Sequence, residues 1–490
     1  MKRCVLACDL GGSSFRAALV DDAGKVIDLA VIPGQATADP QAWWQSLVTA
    51  VDQLGHTSCE IVAIAISAFT RSQILLDRTG IPLRPALLWH DTQAAATLPG
   101  LLALLPEHPE RAFVNAFHPL ARLHFLRETE PGTIASLGCV VEPKDYLNFR
   151  LTGRIACDPI SSARLLACAP ALLHAARFPL SILPAAIAPT EILGVVQPNR
   201  PGALRRLAGV PVIAMAHDTW ASVLGLGALR PGFAYNLSGT TEVLGLMSKT
   251  PHPAEGLLTV QWGEDIHQIG GPSQTGADSI AWLMRLLGQS GPIALNTLLQ
   301  AERHPQPALF LPYLQGERAP YWNPALRGAF VGLHRDHGPA DLAHAVLEGV
   351  AFLNRIVLDR AEAACGQPVT EIRFGGGGAA NAAWCQIKAD ITNRPVVVID
   401  ETEPGLIGAA IVAFAARNGT SLEAGQQAMV TPRARFTPQP ARVAFYRDLF
   451  TRFRAAEAAL APLSQELSRM VLPPAPVSAQ SAAPAKGVRD

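Results

Sequence analysis

Short apolar runs separated by glycine-rich turns open the chain. Residues 3–8 predict a strand, 15–20 a second and 25–31 a third. Between the first two lies Asp9-Leu10-Gly11-Gly12-Ser13-Ser14, a turn rich in glycine and hydroxyls; between the next two lies Asp21-Asp22-Ala23-Gly24. Residues 40–54 read as a helix, and 61–66 as a short buried strand rich in β-branched side chains. The opening unit recurs later. Residues 233–237 and 242–247 predict strands around Ser238-Gly239-Thr240-Thr241.

Two such units suggest an internal duplication, each half opening with a loop whose backbone N–H groups and hydroxyls suit phosphate oxygens. Residues 225–232 break regular structure and place the boundary, giving domains at 1–229 and 230–470 and a tail at 471–490. The tail is rich in Pro, Ala and Ser from residue 473 and predicts disorder. Residues 339–365 predict a long helix capped by Gly366, and 371–374 a strand. Four glycines, Gly375 to Gly378, then precede a helix expected over 380–392. Strand, glycine loop and helix N-terminus together suit nucleotide phosphates, and four consecutive glycines point to a ligand approaching the backbone closely.

A chain of 490 residues exceeds one ordinary core, so two large domains are the expectation. Hydrophobic residues make up 49% and charged residues 16%, which excludes global disorder. Lys+Arg and Asp+Glu both number 40, and no basic run appears, so a nucleic-acid partner is not expected. Eight scattered cysteines without a C-x-x-C pair predict reduced thiols in a cytoplasmic protein. The apolar stretch before Asp9 is too short for a signal peptide, and no run predicts a membrane span.

The motifs, in order, are DLGGSSFRAALVDDAGKV (9–26), LLWHDTQA (87–94), PKDYLNFRLTG (143–153), AHDTWASVLGLGAL (216–229), NLSGTTEVLG (236–245), LPYLQGERAPYWNPALRGAFVGL (311–333), VLEGVAF (346–352) and FGGGGAANAAWCQIKADITNRPV (374–396). On these the chain resembles the FGGY carbohydrate kinases, with a flavour closest to xylulokinases and gluconokinases. The resemblance spans about residues 4–460. It implies an α/β fold of two actin-like (ribonuclease H-like, hexokinase-type) domains flanking a cleft. It also implies ATP and Mg2+ as cofactors, a small sugar or polyol as partner and a homodimer as oligomer.

Carried over residue by residue, the resemblance assigns Asp218 as the base that takes the acceptor's proton; the local alternative is a helix N-cap. Asp9 goes to the metal through water. Gly11, Gly12, Ser13 and Ser14 form one phosphate loop and Gly239, Thr240 and Thr241 the other. Gly376, Gly377 and Asn381 line the nucleotide. Arg16 reads either as a phosphate-side donor or as a solvated strand residue. On the sugar side stand Arg71, Trp89 and Asp91. Arg71 occupies the position where xylulokinases carry histidine, and Gln93 one where relatives often carry arginine, so both bear on substrate class. A ketopentose is the first expectation, then gluconate, glycerol or another polyol. Two other classes compete: a non-catalytic actin-like nucleotide-binding protein, against which Asp218 argues, and a chaperone-type ATPase, which gives no reason for Trp89, Arg71 or GERAPYWNP.

Overall fold

The computed structural model describes residues 2–34, 37–55, 59–168, 170–400 and 402–471. The expected tail from residue 473 lies outside the described residues.

The first sheet starts with the meander β1 (Lys2–Leu10), β2 (Ser14–Asp21) and β3 (Val26–Pro33). After helix α1 (Pro40–Gln53), β4 (Cys59–Ala68) returns parallel to β1. Helices α2 (Pro119–Thr129) and α3 (Pro143–Thr152) follow. Strands β5 (Ile192–Val195) and β6 (Pro211–Ile213) complete the order β3-β2-β1-β4-β6-β5. Strand β6 ends at Ile213, and Met215, at φ 63°, leads the chain into the next helix. That helix, α4, spans Asp218–Gly225.

The second sheet repeats the plan. Strands β7 (Phe233–Ser238), β8 (Glu242–Ser248), β9 (Leu258–Gly263) and β10 (Ile266–Pro272) are antiparallel. Helices α5 (Ala277–Leu286) and α6 (Gly291–Gln300) lead to a separate ribbon, β11 (Leu309–Leu311) with β12 (Ala329–Val331). Helix α7 (Pro339–Cys365) ends at Gly366 in the left-handed region, as the sequence predicts. Strand β13 (Glu371–Gly376) pairs parallel to β7, α8 is Ala382–Thr392, and β14 (Val396–Ile399) lies parallel to β13. After α9 (Pro404–Asn418), β15 (Pro432–Phe436) closes the order β9-β10-β8-β7-β13-β14-β15. Both sheets thus join an antiparallel meander to parallel strands, and β1 and β7 are equivalent. No helix of the described residues is long and apolar enough to cross a membrane.

The two halves share a core. Helix α9, late in the chain, packs Leu406, Ile407, Ile411 and Phe414 with Val5, Ala7, Val20 and Ala63 of the first sheet and with Trp220 and Leu224 of α4. The approach of α4 to α9 is set by backbone. A Cβ on Gly408 would stand 1.8 Å from the Ala221 carbonyl oxygen, and one on Gly225 the same distance from that of Pro404. Only hydrogen fits at either position. Backbone cannot yield as a flexible side chain can, so Gly408→Val should destabilise by about 3 kcal/mol or more, the upper end for overpacking. Denaturant unfolding checks this; a loss under about 1 kcal/mol would mean the helices separate freely.

Candidate active site

Asp9 and Asp218 meet at the floor of the cleft. Asp9 ends near the carboxyl edge of β1, where the Ser67 hydroxyl on β4 donates to its Oδ1 at 2.8 Å. The start of α9 closes over it: a Cβ on Gly405 would lie 3.5 Å from the Asp9 carboxylate. Asp218 is the first residue of α4, but it is not the cap. His217 takes that role, its Nδ1 accepting from the Trp220 N–H at 3.2 Å. Burial pushes the His217 pKa down to about 4, so the ring stays neutral and able to accept. The N-cap alternative for Asp218 is therefore corrected: a histidine, an uncommon cap, does that work and leaves the carboxylate facing the cleft.

Solvent touches 32% of the Asp218 side chain, yet protein surrounds it. Burial, and secondly the charge of Asp9, raise its pKa from the ordinary 3.8 to about 7, against hydrogen bonds from Thr219, whose N–H donates at 2.6 Å. Burial raises Asp9 as well, opposed by Ser67 and Arg16. Arg16 lies opposite Asp9 in register and pairs with Glu403 at 3.5 Å, so it bridges the halves and is not simply a solvated residue.

The two hairpin loops join equivalent strand pairs in their sheets. In the first, the Gly11 N–H donates to the Ser14 carbonyl at 2.9 Å, Gly12 and Ser13 are exposed, and the buried Ser14 hydroxyl has no partner. In the second, Gly239 and Thr240 are exposed. Their carbonyls accept from Ala277 and Asp278 at the start of α5, at 3.0 and 3.1 Å, so that helix end is spent on the loop.

The four-glycine run departs from expectation. Strand β13 continues to Gly376, a 3-10 turn spans Gly377–Ala380, and α8 begins two residues later than expected. Three of the four glycines answer to packing. A Cβ would meet the Leu226 side chain at 2.7 Å from Gly375, the Ser238 carbonyl oxygen at 2.3 Å from Gly376 (φ 83°), and Trp384 at 2.7 Å from Gly378. Gly377 alone meets nothing within 4 Å. Asn381 is the N-cap of α8, accepting from the Trp384 N–H at 2.9 Å and donating to Asn296 on α6 at 2.9 Å.

The third cluster lies beyond β4. Arg71, at φ 60°, is exposed in the cleft. Trp89 is 48% exposed, a free indole wall. Both Asp91 oxygens accept from Gln93, at 2.9 and 3.0 Å, so Gln93 steers that carboxylate. Sequence reasoning missed what holds this cluster together. Arg122 on α2, 2% exposed, donates to the backbone carbonyls of Arg71 at 2.7 Å, Leu88 at 2.8 Å and Asp91 at 3.3 Å. One guanidinium thus ties both segments. Also missed was Lys144 on α3, buried between Asp145 and Asp158, with Asp158 at 2.7 Å. Its charge and that of Arg71 both bear on His217. Arg318, within GERAPYWNP, donates to the Ser273 carbonyl at 2.5 Å and feels the charge of Arg71 across the cleft. Beside it is a small cavity of ≈ 200 Å³ lined by Gln274, Gln315, Glu317, Arg318, Trp322 and Pro324. A larger one of ≈ 820 Å³ lies on the α1 side of the first sheet, lined by Leu6, Leu19, Val51 and Arg205 among others, and contains none of these residues. Arg122 sits in a helix buried on several sides, with Leu120, Ala121, Leu123 and Leu126 around it, and such a position has no local signature, which is why it escaped the sequence reading.

Comparison with known proteins identifies the family and the fold. The model for the N-terminal domain of the FGGY family of carbohydrate kinases matches residues 4–225, and that for its C-terminal domain matches 234–417. The chain is 30% identical over 436 residues to the xylulose kinase of Escherichia coli (strain K12), covering 83% of this chain and 88% of that one. Among solved structures, the xylulose kinase of Rhodospirillum rubrum superposes with a TM-score of 0.82 at 26% identity, covering 94% of this chain and 100% of that one. The gluconate kinase of Lactobacillus acidophilus also gives 0.82, at 22% identity and coverages of 95% and 100%, a likeness of fold.

Two outcomes follow. Between about pH 4 and 7 the folded chain holds a proton on Asp218 that the unfolded chain releases, so this group's contribution to stability falls as pH rises through that window. Asp218→Asn should therefore gain stability relative to wild type as pH rises from 4 to 7, measured by urea unfolding across that range. In Asp9→Asn the Asp218 pKa should drop, since a neighbouring negative charge is gone; carboxyl NMR titration reads it, and no drop would uncouple the pair. Separately, Arg122→Met should raise the acceptor's KM at least tenfold with nucleotide KM unchanged, and Arg122→Lys should recover part of it. Equal changes in both KM values would make Arg122 a general structural residue.

Proposed function

The chain belongs to the FGGY family of carbohydrate kinases and is an ATP-dependent sugar phosphotransferase; from that premise we propose that its acceptor is a ketopentose of the xylulose kind and that Asp218 is the general base. The observation that carries the reading is Asp218 itself, a carboxylate uncapped by His217, open to the cleft and held near neutral pKa by burial and by Asp9. A base is most effective when its pKa lies near the working pH. The relatives named as xylulose kinases support the acceptor.

In this reading the sugar lies between Trp89, which offers an apolar face, and Asp91 and Arg71, which hold its hydroxyls. The ATP phosphates lie between the Gly11–Ser14 and Gly239–Thr241 turns, where backbone N–H groups and the orphaned Ser14 and Ser238 hydroxyls supply donors. Gly377 leaves room on the nucleotide side, and Asn381, as cap of α8, shapes that side indirectly. The donor set at Asp9 and Asp218, two enclosed carboxylates of which one raises the other, fits Mg2+, with Asp9 as the residue that would hold it through water. When bound, Mg2+ neutralises charge on the transferring phosphates. Asp218 accepts the acceptor hydroxyl's proton as that oxygen bonds to the γ-phosphorus and the bond to the β-phosphate oxygen breaks. The enclosing walls from both halves exclude water, so the γ-phosphoryl group goes to sugar in preference to water.

One observation favours a second acceptor. Arg71 stands where the ketopentose relatives carry histidine, and Arg164 and Arg318 add positive charge around it. Such a pocket suits an acceptor carrying a carboxylate, such as gluconate. ADP release measured across ketopentoses, aldonates and polyols tests both. A ketopentose signal that falls at least 10²-fold in Asp218→Ala, with nucleotide binding retained, supports the main reading. Preference for an aldonate, weakened in Arg71→His, supports the second. Full turnover in Asp218→Ala removes Asp218 as base.

A further inference from the structure

We propose that the chain carries a second cation site, apart from the cleft, in which His304, His334 and Asp336 bind one divalent transition ion of the zinc, cobalt or nickel class. The placement follows from strand register. Leu309 of β11 pairs with Val331 of β12, so the chain entering the ribbon and the chain leaving it meet at the same end. His304 lies just before that end and His334 just after it. One ligand atom from each of His304, His334 and Asp336 lies within 4.8 Å of the others, and among the described residues this is the one such group of three or more His, Cys, Asp or Glu. The His304 and His334 rings stack at 5.1 Å, and His334 Nδ1 is 3.3 Å from an Asp336 oxygen.

The surroundings orient these side chains. His304 Nδ1–H donates to the Gln306 carbonyl at 3.2 Å, the tautomer that leaves Nε2 for a metal. His337 stands edge-on to His304 and is pinned at both nitrogens: Nδ1 accepts from the His334 N–H at 2.8 Å, and Nε2 donates to the Gln306 carbonyl at 2.8 Å. That ring is a brace, not a ligand. Asp341 accepts from the His304 N–H at 2.8 Å and from the Gly338 N–H at 2.9 Å, which ties the loop to the start of α7. A ligating imidazole whose other nitrogen is held by the protein is the arrangement that sustains metal affinity. Two imidazoles and a carboxylate, with water completing the shell, suit zinc, cobalt and nickel and not magnesium, which takes oxygen ligands. The ion would staple the segment after α6 to the loop entering α7.

The test is calorimetric titration of the full chain with zinc or cobalt chloride in excess Mg2+, which occupies oxygen-only sites. Wild type should bind one equivalent more than His304→Gln/His334→Gln. Zinc should raise the Tm of wild type by a few degrees more than that of the double variant. Thiols contribute equally to both proteins and cancel in the difference. Should the double variant fold poorly without metal, Asp336→Asn, at an exposed position, serves instead and should weaken binding at least tenfold. Equal stoichiometry and equal Tm shifts in wild type and variants would overturn the site.

Discussion

The crossing of α4 and α9 is the constraint on which the cleft depends. Gly225 and Gly408 let two backbones touch, and that contact sets where both helices begin. Asp218 opens α4, and Gly405 near the start of α9 lies against Asp9. Backbone packing between α4 and α9 thus places the start of one helix, with Asp218, and the start of the other, against Asp9, beside the same strand end. Asp218 rides on α4 while Asp9 sits on β1, so a shift at the crossing moves one carboxylate relative to the other.

Around that frame the electrostatics run against folding. Two carboxylates enclosed together raise the energy of the ionised state, and the chain retains them where an apolar pair would pack with less strain. This is the expected conflict between stability and activity at a working site. The compensation is nearby. Ser67 holds Asp9, His217 satisfies the end of α4 without a charge, and Lys144 between Asp145 and Asp158 makes a buried ionic brace. Arg122 braces the Arg71 and Leu88–Asp91 segments in the same way, with three carbonyls in place of a carboxylate. A buried guanidinium bound to carbonyls fixes loop geometry without engaging the Asp91 carboxylate.

Much of this was legible in the sequence. Alternating runs around Gly11 and Gly239 marked both hairpins, the long helix ended at Gly366 as its cap required, and eight ordered motifs identified the family. These are local properties: periodicity, turn chemistry and spacing survive in one dimension. Two local rules each had two readings. Asp218 fitted an N-cap, yet the neighbouring histidine took it. The four glycines suggested a ligand, yet three of them make room for Leu226, Ser238 and Trp384, contacts with residues that the sequence could not place.

The sequence by itself determined the two-sheet plan, the position of both glycine- and hydroxyl-rich turns and the identity of the carboxylates. Each of these follows from hydrophobic pattern and residue type within a short window. Only the tertiary structure decided that α9 joins the first sheet's core, that Asp9 raises Asp218, that Arg122 ties the Arg71 segment to Leu88 and Asp91, and that His304 meets His334. Those facts depend on distances between residues far apart in the chain. Charge and hydrogen bonding act through space over a few ångströms, and only folding sets which residues stand that close.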